Sequence, residues 1–253
     1  MPSSTASPSG SKLIAHALLA AAVVLGPASL LVWGWFALTG ALNLVALGLG
    51  ETGALAFDAC LSVVFFVQHS GMIRKSFRGR STGLIPPHYR NAVFTVTSGV
   101  VLLTVIVLWQ ESGPPLVSLP TVLRWALRAL WFVSVAGFLW GSRALRYFDP
   151  YGIKPIRSHL YGTELRTMPF AVRGPYRWVR HPLYFFVVLM IWSYPDVTAD
   201  RLLFNVLWTA WIVVGAVLEE RDMVAEFGDV YRDYQRKVPM LIPYRFRPAW
   251  PER

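Results

Sequence analysis

Apolar residues run along this chain in six blocks separated by short polar stretches. The blocks are Leu13 to Leu38, Leu55 to Val67, Val93 to Trp109, Leu127 to Leu145, Leu183 to Tyr194 and Leu202 to Leu218. A hydrocarbon core takes roughly 20 apolar helical residues, so the first, third, fourth and sixth blocks predict crossing helices as they stand. The second and fifth are shorter and cross by recruiting their polar flanks. The pattern predicts an all-α integral membrane protein of about six transmembrane helices. Beyond the sixth block, Met223, Phe227, Val230, Tyr231 and Tyr234 recur at three- and four-residue spacing. That spacing predicts that the helix continues, amphipathic, and lies back against the protein or the membrane interface.

Residues 1 to 11, "MPSSTASPSGS", are rich in Ser and Pro and predict a disordered N-terminal tail. The apolar run after Lys12 is too long for a signal-peptide core and reads as a retained helix. No internal repeat is visible, and the loops are short, so residues 12 to 243 form one membrane domain and 244 to 253 a C-terminal tail. The extensive water-exposed parts are the 146 to 180 connection and the chain after Glu219.

Composition agrees: 55% hydrophobic and 15% charged residues exclude an ordinary soluble domain. The net charge of +10 is unevenly spread. Lys12 stands alone near the start, five basic residues lie between the second and third blocks, eight between Arg143 and Arg180, and seven from Arg221 onward. Only Arg124, Arg128 and Arg201 fall at the other ends of the blocks, where the loops carry Glu51, Glu111, Asp196 and Asp200. Basic residues gather in short cytoplasmic loops, so six crossings with both termini cytoplasmic account for the sorting. The charge then reflects topology and anionic headgroups, and no nucleic-acid partner is needed. The single cysteine, Cys60, forms no disulfide within the chain and is expected to pack inside the second block.

The reactive-looking residues sit at the cytoplasmic ends. In "YRWVRHPLYFF" (176 to 186), Pro182 suits the first turn of the fifth helix, because its missing N–H is unpaired there anyway. Arg180 and His181 then stand at the cap, where free N–H groups and partial positive charge suit an anion. The fifth and sixth helices form an antiparallel hairpin, which brings that cap beside "LEERDM" (218 to 223). Adjacent Glu219 and Glu220 point about 100° apart, so one of them faces His181 directly. A cationic cap opposite paired carboxylates suits a zwitterion that carries a second cationic centre. S-adenosylmethionine, with an α-carboxylate, an ammonium and a sulfonium, is such a ligand.

"GPYRWVRHPLY" (174 to 184), "LEERDM" and "FGDVYRDYQRKVPMLIP" (227 to 243) resemble the membrane methyltransferases related to isoprenylcysteine carboxyl methyltransferase and the phospholipid methyltransferases. The methanethiol S-methyltransferase branch is the most similar, and "FVQHS" (66 to 70) and "FDPYG" (148 to 152) resemble segments of it. The resemblance implies a cytoplasmic pocket for S-adenosylmethionine in a bacterial inner membrane. It implies that Gly174, Tyr176, His181, Pro182, Tyr184, Glu219, Glu220 and Tyr231 bind the cofactor, with Arg180, His181, Glu219 and Glu220 in the catalytic set. Gln68, His69 and Asp149 are the matching candidates for substrate contact, and Tyr231, Tyr234, Val238 and Pro239 match a tail that covers the pocket. Two residues depart from the pattern: Phe186 stands where relatives carry a small residue, and Tyr147 where the thiol-methylating branch carries histidine.

Five histidines lack metal-ligand spacing, no cysteine pair exists, and no glycine-rich nucleotide loop follows a strand. The spacing gives no support for a metal centre and excludes a soluble Rossmann-type methyltransferase. For a thiol acceptor the attacking form is the thiolate, which a cationic rim of Arg173, Arg177 or Arg180 favours. Three readings stay open: methylation of a small thiol, methylation of a lipid-borne acceptor such as a prenylcysteine carboxylate or a phospholipid amine, and a non-enzymatic membrane carrier. The clustering of ionisable residues at the block ends, away from the midplane, disfavours the carrier. Oligomeric state is not legible in the sequence.

Overall fold

The computed structural model describes residues 8–74, 83–117, 119–145, 149–164, 170–245 and 247–251. Among them are α1 (Pro8–Thr39), α2 (Glu51–Ile73), α3 (Arg90–Leu108), α4 (Thr121–Ala144), α5 (Ile153–Tyr161), α6 (Pro182–Trp192), α7 (Ala199–Phe227) and α8 (Asp229–Lys237). Five of these helices are long and apolar enough to cross a membrane, and α6 is a shorter apolar helix of 11 residues. Large apolar side chains stay exposed along them, including Leu31, Val67, Val122 and Trp125. Such faces are tolerated where the surroundings are lipid rather than water. The chain is an all-α, multi-pass integral membrane protein.

Several boundaries refine the expectations. α1 opens at Pro8, so Pro8–Ser11 of the N-terminal stretch are helical. The second block forms a full 23-residue helix because Glu51–Ala54 and Gln68–Ile73 extend it at both ends. "IPPHYR" forms a 3-10 turn over Pro87–Tyr89 that leads directly into α3. Cys60 is not packed inside; it lies on the exposed face of α2. Tyr147 lies outside the described residues.

Two compact units divide the chain. The first comprises Met1–Trp33, Val63–Val107 and Phe148–Thr167. Its core is built on small residues, with Ala15, Ala22, Ala92 and Ile156 buried and Leu18, Leu19, Tyr89 and Tyr151 packed against them. Alanines at the contact allow helix backbones to approach closely. Thr95 Oγ1 donates to Pro150 O at 2.5 Å, fixing the start of the α5 turn on α3.

The second unit comprises Gly34–Ser62, Leu108–Tyr147 and Met168–Arg253. At one end, Phe36, Trp109 and Phe204 meet edge to face, with ring centroids 5.1 to 5.7 Å apart. Most polar side chains buried around them find partners, as burial demands, although Arg201 Nε and Asn205 Oδ1 have none. Asp200 accepts from Trp109 Nε1 at 3.1 Å, Ser112 N at 3.0 Å and Ser112 Oγ at 2.7 Å. Arg201 donates to Phe36 O, Ala37 O and Ile191 O, at 3.2, 2.7 and 3.0 Å. Those carbonyls belong to the last turns of α1 and α6, where helix dipoles favour a cation. Thr198 caps α7 by accepting from Arg201 N.

α4 and α6 run antiparallel in this unit. Phe186 lies over Gly137, where a Cβ would sit 2.2 Å from its ring, and Leu183 lies over Gly141. The bulky residue at 186 is thus received by a glycine on the facing helix. α7 runs past both glutamates to Phe227 and then stops at Gly228, which takes φ 58° and ψ −130°. Only glycine adopts that region readily, and the turn folds α8 back onto α7. Tyr231, Tyr234 and Val238 are buried with Phe170, Phe227 and Trp250, whereas Val230, which the spacing assigned to the packed face, is exposed.

Candidate active site

The site is assembled within the second unit by the start of α6, the end of α7, and α8 with the tail. Pro182 opens α6, and His181 is its N-cap residue but makes no capping bond with its side chain. The main chain there is taken by the tail: Arg180 N donates to Pro239 O at 2.9 Å and His181 N to Met240 O at 3.0 Å. A second strap holds the C-terminal residues, because Ala249 N and Trp250 N both donate to Arg177 O. Arg177 Nε donates in turn to Trp250 O at 3.0 Å.

The two glutamates have different surroundings. Glu220 is buried, and its Oε1 accepts from Arg180 Nε at 2.9 Å, His181 Nε2 at 2.8 Å and Tyr231 Oη at 2.8 Å. Its Oε2 accepts from Gln235 Nε2 at 2.5 Å. A carboxylate offers about four lone-pair sites, so these donors occupy Glu220. Arg180 also donates through one terminal nitrogen to Gln235 O and Val238 O. Glu220 and Arg180 together bind α8 and the tail to the helix hairpin.

Glu219 is 44% exposed at its side chain and accepts one hydrogen bond, from Tyr184 Oη at 2.7 Å. The His181 ring lies between the pair, with Nε2 on Glu220 and Nδ1 3.8 Å from Glu219 Oε2. Because Glu220 only accepts, Nε2 carries the ring proton. Tyr184 stacks parallel on His181, centroids 5.4 Å apart, which fixes the plane of the ring.

The remaining motif residues support this arrangement. Gly174 has φ +52°, and a Cβ there would lie 3.0 Å from Ala144 Cβ, so the turn into Tyr176 requires glycine. Tyr176 O accepts from Tyr234 Oη at 2.6 Å. Burial pushes the Tyr176 phenol up, and the Glu219 charge adds to it. The Tyr231 and Tyr234 phenols are raised in the same way, first by burial and then by Glu220 and by Tyr231 respectively. All three phenols stay neutral at ordinary pH. A cavity of about 530 Å³ opens on the other face of α8, along Arg173, Asp229, Val230, Asp233 and Trp250, and none of the motif residues of 174 to 184 or the glutamate pair lines it.

Gln68, His69 and Asp149 belong to the first unit, where each has local contacts. Gln68 Nε2 donates to Thr97 Oγ1 and Ser98 Oγ at 3.3 and 3.2 Å. His69 packs against Phe65 and Phe94. Asp149 accepts from Lys154 N at 2.6 Å and so stabilises the first turn of α5. Among the described residues, no group of three or more His, Cys, Asp or Glu is placed to hold a metal. Gln235 and Phe170 escaped sequence reasoning. Gln235 was signalled weakly, one helical turn after Tyr231; Phe170, whose ring meets Tyr231 and Tyr234, carries no motif.

A methanethiol S-methyltransferase of a Pseudomonas species is 36% identical to this chain over 197 residues, 76% of the chain and 74% of the relative. The chain belongs to the methanethiol S-methyltransferase family. Methanethiol S-methyltransferase 2 of Bradyrhizobium diazoefficiens is 32% identical over 202 residues, covering 78% of the chain and 76% of the relative. The Mycobacterium tuberculosis methanethiol S-methyltransferase is 33% identical over 208 residues, 79% of the chain and 80% of the relative. No family model matches, and no solved structure matches.

Proposed function

We propose that this chain is an S-adenosylmethionine-dependent methyltransferase that converts methanethiol or a similar small thiol into a thioether. The observation that carries the reading is the family match over three quarters of the chain. The donor set around His181 fits the cofactor: Glu219 keeps exposed carboxylate oxygens for an ammonium or sulfonium, while Glu220 is already occupied. S-adenosylmethionine, when bound, supplies a methyl group already activated as a sulfonium, so thiolate attack forms the new S–C bond as the old one breaks.

The protein's own part is to bind, orient and exclude water. Glu219 binds the cationic part of the cofactor, and Tyr184 and His181 hold Glu219 in place. Glu220, Arg180, Tyr231 and Gln235 keep the cover closed over the α6 start. The thiol proton leaves to solvent, and no covalent enzyme intermediate is needed.

α6 with its flanks makes the sixth crossing. Its 11 residues span only about 16 Å, and the segment around Trp178–His181 and the turn after Trp192 complete it. Both termini face the cytoplasm of a bacterial inner membrane, on the side of the basic loops. Calorimetric titration of the purified chain in detergent with S-adenosylhomocysteine tests the cofactor assignment. Saturable one-to-one binding is expected; folded protein that binds none contradicts it.

A further inference from the structure

Within the second unit, Arg124, Arg128 and Arg201 lie away from the start of α6, and two of them have evident structural roles. Arg201 satisfies helix-end carbonyls. Arg124 makes a two-pronged ion pair with Asp196, at 2.5 and 2.8 Å. Arg128 is the third. It lies seven residues into α4, about 10 Å along the helix axis from Thr121, and is half-buried. It makes no hydrogen bond or ion pair with any described residue.

Arg128 lines a cavity of about 560 Å³ with Leu38, Trp125 and Phe132 at its apolar wall and Thr121 and Arg124 at its rim. Trp125 and Phe132 are 68% and 60% exposed, so the wall is open to the bilayer. Residues 125, 128 and 132 follow at three- and four-residue steps and form one stripe of α4. A guanidinium at this depth is costly unless an anion meets it. Asp196 is already taken by Arg124, Glu111 accepts from Asn43 Nδ2, and neither carboxylate lines the cavity. The charge left over is positive, and it sits above apolar walls.

We propose that Arg128, with Trp125, Phe132 and Leu38, binds one anionic phospholipid at the end of α4 remote from the candidate active site. The headgroup phosphate sits on the Arg128 guanidinium, whose planar fork matches phosphate oxygens. An acyl chain runs along Trp125 and Phe132. A zwitterionic lipid fits less well, because its own cation would face Arg124 and Arg128.

Native mass spectrometry of the full-length chain in detergent, with phosphatidylglycerol, phosphatidylcholine or inorganic phosphate added, tests this site. One phosphatidylglycerol is expected to stay bound under conditions that strip phosphatidylcholine. Arg128→Gln is expected to lower phosphatidylglycerol affinity about tenfold or more, the loss of one charge-assisted hydrogen bond; Arg128→Lys retains part of it. Trp125→Ala, at an exposed position, is expected to weaken the same adduct and serves if Arg128→Gln does not fold. Equal retention of the two lipids, an inorganic phosphate adduct that displaces the lipid, or an unchanged phosphatidylglycerol adduct in the folded variants overturns the proposal.

Discussion

At the scale of single residues, adjacent glutamates divide the labour. Glu220 and Arg180 are both almost fully enclosed, with side chains 8% and 9% exposed, and removing one charge of a buried pair typically costs on the order of 3 kcal/mol. Glu220→Gln should therefore lower the thermal midpoint as well as cofactor affinity. Glu219→Gln should leave the midpoint nearly unchanged and weaken S-adenosylhomocysteine binding by about one to two orders of magnitude, the loss of a charge-assisted bond. Melting curves and titrations on both variants decide; the reverse pattern would exchange their roles. The sequence pointed to one of the two acids facing His181, because the hairpin brings the ends of α6 and α7 together. It could not show which one is occupied. That depends on Tyr231 and Gln235, which reach Glu220 only after the chain reverses at Gly228.

At the scale of elements, the contact between α4 and α6 is set by one exchange of size. A bulky Phe186 is matched by Gly137, so the close approach is kept with the small residue on the other helix. Gly137→Ala forces a Cβ into the phenyl ring, and overpacking of this kind costs about 1–3 kcal/mol. Phe186→Ala in the same chain should recover part of that loss, giving a non-additive double-mutant cycle. Additive effects on the unfolding midpoint would mean that the two residues do not share this space. The departure at 186 was visible in the sequence, but its partner Gly137, on a different helix, was not. The periodicity from Met223 to Tyr234 likewise foretold a helix folding back, yet it ran across Gly228 and hid the break. Glycine's freedom is a backbone property that side-chain spacing does not report.

At the scale of the whole molecule, apolar blocks and charge sorting were legible because the bilayer imposes both on the sequence. α6 was the hardest helix to read, since its 11 residues rely on neighbours rather than length. Accessibility tags after Pro2 and Arg253, and one inserted near Arg78, should all report the cytoplasm; a C-terminal tag on the other side would remove the α6 crossing. Purified chain supplied with S-adenosylmethionine and, separately, methanethiol, longer alkyl thiols, a prenylcysteine analogue and phosphatidylethanolamine should release S-adenosylhomocysteine and thioether with the small thiols. The rate should rise from neutral pH toward the thiol pKa as thiolate accumulates. Tyr176, Tyr231 and Tyr234, all held above the usual phenol range, do not titrate in that window. Turnover of the prenylcysteine analogue or the phospholipid alone, with no thioether from any small thiol, would contradict the account.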